Sequence, residues 1–502
     1  MLSTTSVGSA PASSPPLPSY ILRGHAVPVS ALRFSACGRF LYSGDTDGFL
    51  AVWDLKTFRP KLFWKAHEGG LLSIEEMGHG LLTFVLSLVP LTSLLTYPIV
   101  HSHARDNLVH YFSLHPSTAD PSAVVVDLQR GAATAVPSPA SPSPGIEPVW
   151  SMAVNAMNFC RISVLELSPG SSSAKGKGKA VEAEGLVAVP SLTKDDFVDI
   201  FHIPLKDRAH RSIGVDAFPI GHKTGTVMAL HLFLHDSSPS HFRSSQPASS
   251  LETSSSTPST LRSSAINPQL HLLIGYESGQ LALFRFTPTA NFTRPPVEAD
   301  NAASFDMPLK GKKVDESEGW ELVWHEKGHR DAVMSLATSS DTRFAWTVGA
   351  DHFICKYRVW DINEEESLLP RIHVEATPSP GKAAVAVRSD GRILGTAGWD
   401  GEARLYSAKT LKPLAVLSQH RQSLQALDFA PLSPTPRARR AHFSSSAGAS
   451  DEGESDSDSS SSSEEDERAR AGGRAAGRRG RAWIATAGQD TKISLWEVYP
   501  PQ

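Results

Sequence analysis

Histidine, serine or threonine, and aspartate recur along this chain at spacings that would let their side chains hydrogen-bond to one another. In hydrolases a Ser-His-Asp set makes the serine hydroxyl a nucleophile, but it does so once, at a cleft with an oxyanion hole. Here the set repeats in several parts of the sequence, and no GxSxG, HExxH or GxxxxGKS/T motif accompanies it. We therefore predict structural networks rather than a catalytic site, with no cofactor and no bound metal.

The aspartates belong to a repeated unit of one Ser or Thr, an Asp four residues later and an aromatic residue six residues after that. Its four full copies are Ser43/Asp47/Trp53, Thr347/Asp351/Tyr357, Thr396/Asp400/Tyr406 and Thr486/Asp490/Trp496. The looser copies are Asp106/Phe112, Asp195/Phe201 and Ser278/Phe284. Several units follow a histidine with apolar residues four and seven positions later, namely His25, His67, His329, His420 and, with one extra residue, His222. We predict that these side chains tie neighbouring strands together and keep buried polar groups paired.

The elements around these residues are short strands. Each unit has an apolar strand, a tight turn with Gly and Asp, and an alternating strand that ends in an aromatic residue. This pattern is typical of WD repeats, in which four antiparallel strands form one blade. Seven units predict an all-β fold, a single seven-bladed WD-repeat β-propeller over residues 20–502. The last unit stops at its third strand, so we expect the segment around Tyr20 to add the fourth and close the ring by pairing of the N- and C-terminal strands.

Several polar stretches fit no blade. They hold too little apolar surface to fold, and we predict that they are disordered. They are the N-terminal tail 1–19, a Ser-rich loop at 236–267 and a longer insertion at 432–481. The longest carries nine carboxylates at 451–467 and six arginines at 468–482. It is interpreted as a flexible loop, or alternatively as an acidic kinase target or docking strip beside an arginine-rich import or nucleic-acid patch.

A charge-free apolar segment, residues 84–102, interrupts blade two. The histidine precedes the aspartate by 22 residues in units one and five, whereas His67 precedes Asp106 by 39. Removing these 19 residues leaves a spacing of 20 and puts Thr83 four positions before Asp106. We interpret the segment as a retained intron or an aberrant insertion. A genuine loop and a membrane span interrupted by two prolines are the alternatives.

Composition limits the other classes of function. The chain has 502 residues, 48 basic and 52 acidic side chains, and a formal net charge of −4, which argues against a general binder of nucleic acid or membrane surfaces. Its three cysteines, Cys37, Cys160 and Cys355, are far apart, which excludes a disulfide framework and a cysteine zinc site and favours a reducing compartment. Residues 1–19 lack the basic and apolar regions of a secretory signal.

Longer stretches resemble one family of WD-repeat proteins. They are YILRGHAVPVSALRFS near the start, VNAMNFCRIS at 154–163, IGYESGQLALFRF at 274–286, KAAVAVRSDGRILGTAGWDGEARLYS and ATAGQDTKISLWEVYP. These stretches are similar to the fungal ASTRA-associated protein 1 family, which is related to the animal guanine-nucleotide-binding-protein β-subunit-like protein. The resemblance implies a non-enzymatic scaffold subunit of the nuclear ASTRA complex, which acts in chromatin regulation and in maturation of phosphatidylinositol-3-kinase-related kinases. It also implies protein partners, namely kinase-maturation cochaperones, AAA-type helicases and a large pseudokinase cofactor, and no direct nucleic acid, membrane or small-molecule ligand.

Two other binding functions stay open. A substrate receptor of a cullin ubiquitin ligase typically has an Arg shortly after a Trp-Asp pair, whereas Leu55 and Lys56 follow Trp53-Asp54 here. A G-protein-β-like signalling scaffold would need an N-terminal coiled-coil helix to seat its partner. The Pro- and Ser-rich residues 1–19 contain no heptads for such a helix.

Overall fold

The fold is described by a computed structural model for residues 16–77, 99–113, 146–156, 159–167, 184–235, 269–287, 319–361, 371–432 and 482–499. Within these residues the chain forms 28 strands in seven four-stranded antiparallel sheets. The predicted Ser-rich loop 236–267 lies outside the described residues, as do residues 1–15 of the predicted tail and 433–481 of the long insertion.

Each sheet is one blade, and in blades one to six the strands are hydrogen-bonded in chain order. Blade one contains β2 (Val29–Phe34), β3 (Phe40–Asp45), β4 (Phe49–Asp54) and β5 (Arg59–Lys65). Blade two contains β6 (Leu71–Met77), β7 (Ile99–Ala104), β8 (Leu108–Ser113) and β9 (Trp150–Ala153). Blade three contains β10 (Ser163–Glu166), β11 (Gly185–Pro190), β12 (Val198–Ile203) and β13 (Asp207–Ile213).

The next three blades repeat this order. Blade four contains β14 (Val227–His235), β15 (Gln269–Tyr276), β16 (Gln280–Phe286) and β17 (Trp320–Lys327). Blade five contains β18 (Val333–Thr338), β19 (Phe344–Gly349), β20 (Phe353–Arg358) and β21 (Ile372–Ala376). Blade six contains β22 (Lys382–Val387), β23 (Ile393–Gly398), β24 (Ala403–Ser407) and β25 (Pro413–Leu417).

Blade seven is assembled from both ends of the sequence. Its strands are β26 (Leu424–Phe429), β27 (Trp483–Gly488), β28 (Ile493–Glu497) and β1 (Tyr20–Leu22). Strand β1 pairs antiparallel with β28, so that Tyr20 lies opposite Leu495 and Leu22 lies opposite Ile493. The first strand of every blade contacts the first strand of the next, from β2 through β26 and back to β2. The predicted seven-bladed propeller and its closure by terminal strands are confirmed.

Burial differs between the strands of one blade, and the sequence pattern follows it. All six residues of β23, a second strand, are buried, and its sequence ILGTAG contains no charge. The outer strand β17 has sequence WELVWHEK and alternates between partly buried and exposed residues, as expected for a strand with one face in water. The second strand of a blade therefore lies in its packed interior, and the fourth strand forms the polar outer edge of the ring.

Adjacent blades share a packed apolar core. Between blades one and seven, Trp53 and Leu32 pack with Ala426 and Leu495. The ring of Tyr20 stacks on Phe58 of blade one at a centroid distance of 3.6 Å. Burying one large apolar side chain contributes roughly 1.5–3 kcal/mol, so this interface stabilises the junction that closes the ring.

One turn shows why the repeat needs glycine. Gly48, between β3 and β4, has a φ of +88°, a backbone conformation that side chains other than glycine rarely adopt. A Cβ added to Gly48 would lie 2.0 Å from the backbone oxygen of His67. The carbonyl of Gly48 also accepts hydrogen bonds from the amides of Ala66 and His67. This glycine thus holds the turn of blade one against the histidine loop of blade two.

Candidate functional site

Four blades carry a network of one histidine, one aspartate and one hydroxyl. Nδ1 of the histidine lies 2.7–2.9 Å from a carboxylate oxygen, and Nε2 lies 2.7–3.0 Å from the hydroxyl oxygen. The sets are His25/Asp45/Ser43, His67/Asp106/Ser102, His329/Asp351/Thr347 and His420/Asp490/Thr486, in blades one, two, five and seven. In each network the histidine lies in the loop before the first strand of the blade, and the aspartate lies at the turn between the second and third strands. These loops and turns lie at one end of the ring, which we call the network face.

In blade one the network carboxylate is Asp45, and the prediction of Asp47 is wrong. Asp45 is the last residue of β3 and is buried, whereas Asp47 is exposed in the turn. Residues two apart on a strand share a face, so Asp45 points to the same side as Ser43. The residue two positions after the hydroxyl in the other three networks has no carboxylate, being Ala104, Gly349 or Gly488. There the turn aspartate four positions after the hydroxyl takes the role.

Two of the predicted aromatic residues join their networks directly. The indole N–H of Trp53 donates to Oγ of Ser43 at 2.8 Å, and that of Trp496 donates to Oγ1 of Thr486 at 3.2 Å. Tyr357 is buried at the corresponding position of blade five, among apolar residues of blades four and five. The aromatic residue therefore seals the network against water in each of these blades.

Blades three and four have related contacts made by other side chains. In blade three Nδ2 of Asn155 donates to Oδ1 of Asp195 at 2.9 Å and to the backbone oxygen of Ser191 at 3.0 Å. In blade four Nε2 of His222 lies 2.9 Å from Oε1 of Gln280. Asn155 belongs to the VNAMNFCRIS stretch, and its position in the loop before an inner strand was the signal that sequence reasoning missed.

Blade six replaces histidine with arginine. Thr396 and Tyr406 are buried as expected, but Asp400 accepts a 2.7 Å hydrogen bond from Nη2 of Arg404. The same nitrogen donates to Oε2 of Glu402 at 2.6 Å. Burial raises the pKa of Asp400, but hydrogen bonds, first among them that from Arg404, outweigh it, so the pKa lies below its ordinary value. The carboxylate is thus held ionised without a histidine.

The networks are suited to holding the loops and strands of a blade together rather than to nucleophilic chemistry. Burial raises the pKa of Asp351, but the hydrogen bond and charge of His329 with two backbone amides lower it to about 2. Ser43 and Thr347 are fully buried, so their hydroxyls face other side chains and not a cleft. A substrate carbonyl therefore has no path to these oxygens.

Blade two uses the end of the segment predicted to be an insertion. Strand β7 begins at Ile99, so residues 99–102 belong to the blade, and Ser102 supplies the network hydroxyl. Residues 99–102 of the predicted insertion therefore lie within this strand in the full chain, while residues 84–98 lie outside the described residues. His101 on the same strand is fully buried, and neither ring nitrogen has a hydrogen-bond partner. Burial lowers the pKa of His101 to about 3.

No helix in the described part of the chain has the length and apolar character needed to cross a membrane.

The centre of the ring holds paired charges. The inner strands enclose a cavity of about 280 Å³ into which Arg33, Glu75, Arg161 and Asp428 face. Nη2 of Arg33 lies 3.2 Å from Oε2 of Glu75, and Arg161 donates to the backbone oxygen of Gln425 at 3.1 Å. Burial raises the pKa values of Glu75 and Asp428, although both arginines oppose it. Two cations and two carboxylates link blades one, two, three and seven across the channel.

Large aromatic side chains stand exposed on the network face. Phe159, in the loop before β10, is 52% exposed and has a φ of +58°, which is unusual for a residue with a side chain. The guanidinium of Arg105 lies 4.4 Å from the centre of its ring. Trp399, in the turn between β23 and β24, is 43% exposed. These side chains offer apolar contact area to a partner.

Seven four-stranded blades with these networks define a WD-repeat β-propeller. The model of the WD domain, G-beta repeat, matches residues 17–54. ASTRA-associated protein 1 from Aspergillus niger is 27% identical over 97% of this chain and 98% of its own length, and that from Aspergillus flavus is 28% identical over the same shares. The protein of that name from Schizosaccharomyces pombe is 27% identical over 83% of this chain and 94% of its own.

The predicted resemblance to ASTRA-associated protein 1 is therefore confirmed along nearly the whole chain. The β-propeller domain of Cps50 (Swd1) from Myceliophteria thermophila is a solved structure with a TM-score of 0.48 and 12% identity, covering 96% of this chain and 99% of that one.

Proposed function

We propose that this chain is a non-enzymatic scaffold subunit of the nuclear ASTRA complex, acting in chromatin regulation and in the maturation of phosphatidylinositol-3-kinase-related kinases. The observation that carries the proposal is the similarity to ASTRA-associated protein 1 over 97% of this chain and 98% of the relative from Aspergillus niger. The match spans the complete ring rather than one repeat. The partners would be the other protein subunits, namely kinase-maturation cochaperones, AAA-type helicases and a large pseudokinase cofactor.

The network face is the surface on which we expect a partner to bind. Exposed aromatic residues and arginines are the side chains that most often dominate protein interfaces. Phe159 and Arg105 supply one side chain of each kind, in contact with each other. The backbone of Phe159 is also in the left-handed region, a strained conformation of the kind found at functional positions. Arg105 and Phe159 lie in blade two and in the loop that leads to blade three, so their partner would contact that junction.

Tagged purification from the native organism tests the proposal. The wild-type chain is expected to co-purify with kinase-maturation subunits and to accumulate in the nucleus. Phe159→Ala should reduce recovery of at least one partner several-fold while leaving the unfolding midpoint unchanged, because Phe159 is half exposed. Leu205→Ala, at a residue 53% exposed between β12 and β13, is the matched control and should retain all partners.

Recovery of cullin adaptors, or of a small coiled-coil partner typical of signalling β-subunits, would contradict the scaffold assignment. Equal recovery with Phe159→Ala and Leu205→Ala would leave the assignment standing and refute only the predicted contact point.

A further inference from the structure

Blade two differs from the three other blades with a histidine, aspartate and hydroxyl network by a second imidazole stacked on the network histidine. His110 on β8 lies opposite Ser102 in the strand register, next to the hydroxyl that holds His67. The two imidazole rings stack with a centroid distance of 4.2 Å and an interplanar angle of 27°. One ligand atom from each of His67, Asp106 and His110 lies within 4.8 Å of the others.

Two imidazoles and one carboxylate at this separation are a common ligand set for zinc. Zn²⁺ binds His nitrogen at about 2.0–2.1 Å and carboxylate oxygen at about 2.0–2.2 Å, usually in tetrahedral geometry. We propose that His67, Asp106 and His110 form a binding site for a divalent transition-metal ion, with Zn²⁺ as the best match. Three protein ligands would leave the fourth position open to water or to a partner's side chain.

Each of the three ligands is already oriented by a second group. Nδ1 of His110 lies 2.7 Å from Oγ of Ser151, and Nε2 of His67 lies 2.8 Å from Oγ of Ser102. Metal-binding histidines almost always use their second nitrogen in this way, which fixes the ring and the tautomer. The coordinating atoms would then be Nε2 of His110 and Nδ1 of His67, the latter being the atom that contacts Asp106 in the metal-free network.

The carboxylate is anchored in the same manner. Oδ1 of Asp106 accepts the amide of Leu108 at 3.1 Å, and Oδ2 accepts the amide of Glu68 at 3.1 Å. The side chain of Asp106 remains 12% exposed, so an ion can reach it from the network face. Each oxygen accepts one backbone amide, and Oδ2 also accepts from Nδ1 of His67, a bond that the metal would replace.

Binding requires one rearrangement of protons. In the metal-free network the N–H at Nδ1 of His67 donates to Oδ2 of Asp106. When Nδ1 binds the ion, that proton resides on Nε2 and is donated to Oγ of Ser102. The N–H···O bond between His67 and Asp106 is replaced by two bonds to the metal, and no redox change occurs.

The other networks provide the matched control. The position of His110 is taken by Ala51 in blade one and by Ser494 in blade seven, each opposite the network hydroxyl. His110→Ser therefore gives blade two a serine at the position that Ser494 holds in blade seven, an arrangement that folds in this same chain. Ser151→Ala keeps all three ligands and removes only the hydroxyl that orients His110.

The experiment measures binding of Zn²⁺ to the untagged full chain by calorimetry and by the shift of its unfolding midpoint. Co²⁺ is the spectroscopic probe, because four-coordinate Co²⁺ absorbs in the visible range. The wild-type chain is expected to bind one ion, to unfold at a higher temperature with Zn²⁺ and to give the Co²⁺ spectrum. His110→Ser should lose all three responses, and Ser151→Ala should bind about 10–100-fold more weakly.

Equal Zn²⁺ affinity in the wild-type chain and His110→Ser would overturn the proposal, since the ion would then bind other histidines. Absence of a Co²⁺ spectrum in the wild-type chain would overturn it as well. If His110→Ser fails to fold, the comparison of the wild-type chain with Ser151→Ala decides, and unchanged affinity in that pair counts against the site.

Discussion

Nη2 of Arg404 donates a 2.7 Å hydrogen bond to Oδ2 of Asp400, which is the contact that a histidine makes to aspartate in four other blades. The donor in blade six comes from the third strand and not from the loop before the inner strand. A guanidinium is always charged and carries several N–H groups, so one residue can bind both Asp400 and Glu402. Blade six thus makes the same contact with aspartate through a different donor.

Arg404→Ala and Asp400→Ala should each destabilise the protein by about 0.2–1 kcal/mol, because the two side chains are partly exposed to water. Because the two side chains share one bond, the double variant should lose less than the sum, with a coupling of about 0.5 kcal/mol. Chemical denaturation of the four proteins measures this. Strictly additive effects would mean that Asp400 is stabilised by groups other than Arg404.

Asp45→Asn and Asp47→Asn are predicted to differ although the two residues are neighbours in one turn. Asp45 accepts hydrogen bonds from His25, at 2.7 Å, and from the amides of Asp47 and Phe49, so its neutralisation should cost about 1–3 kcal/mol. The side chain of Asp47 is exposed, and its substitution should change the free energy of unfolding by less than about 0.5 kcal/mol. Urea midpoints measure both. Equal losses of unfolding free energy in the two variants would show that Asp47 belongs to the network.

Lys382 should make stability rise with pH in alkaline solution. Its side chain is buried, Nζ donates to the backbone oxygen of Ser379 at 3.0 Å, and burial lowers the pKa to about 8 although Asp351 and Asp400 oppose the shift. In the unfolded chain the pKa is about 10.4, so between these values the unfolded state binds more protons and folding is favoured as pH increases.

Lys382→Met removes this titration. The stability of the wild-type chain relative to Lys382→Met should therefore rise by on the order of 1–2 kcal/mol from pH 7 to pH 10. Denaturation at a series of pH values measures the difference. A constant difference over that range would show that Lys382 titrates normally in the folded protein.

Deletion of residues 84–102 is expected to preserve blade two and to stabilise it. The deletion joins Thr83 to His103, so Thr83 takes the sequence position of Ser102 and Leu82 that of His101. A buried imidazole with two unpaired nitrogens would be replaced by an apolar side chain, which should raise the unfolding midpoint.

Thr83→Ala provides the control for that deletion. It should destabilise the deleted chain, in which Thr83 supplies the hydroxyl to His67, and leave the full chain unchanged, because Ser102 supplies it there. The opposite pattern, or an unfolded deletion variant, would mean that residues 84–102 are an integral part of the blade. Sequencing of mature transcripts then shows which form the cell makes.

Removal of residues 1–22 should open the ring. It deletes strand β1, exposes the edge of β28 and removes Leu22, which is 3% exposed, from the core between blades one and seven. We expect a loss of at least about 2 kcal/mol. Removal of residues 1–15 is the control and should leave the midpoint unchanged. Equal midpoints for the two truncations would show that closure by β1 contributes no stability.

The sequence was sufficient for the architecture because repeats predict a fold several times over. In the set of His329, Thr347 and Asp351 and in the set of His420, Thr486 and Asp490 the aspartate follows the hydroxyl residue by four positions, and both sets form the same bonds. Agreement between independent copies made the closing strand at Tyr20 predictable as well.

The sequence failed where a different residue type makes the same contact. Spacing selected Asp47, but the alternation of side chains along β3 puts Asp45 on the face of Ser43. Arg404 and Asn155 carry N–H groups to an aspartate from positions that differ from the repeat, and only strand register reveals that they reach it. The pair of His67 and His110 was missed for the same reason, because they are 43 residues apart (110 − 67).

The pairing of β1 with β28 also governs how the chain can be made. Strand β1 is synthesised before the other described strands, whereas its partner β28 is the last of them. Until then the ring stays open, and apolar side chains that will face blade seven, such as Trp53 and Leu32, lack their cover. Contacts between such distant segments form slowly, and open intermediates of this kind aggregate readily. These apolar side chains are therefore exposed in the growing chain for as long as β1 has not paired with β28.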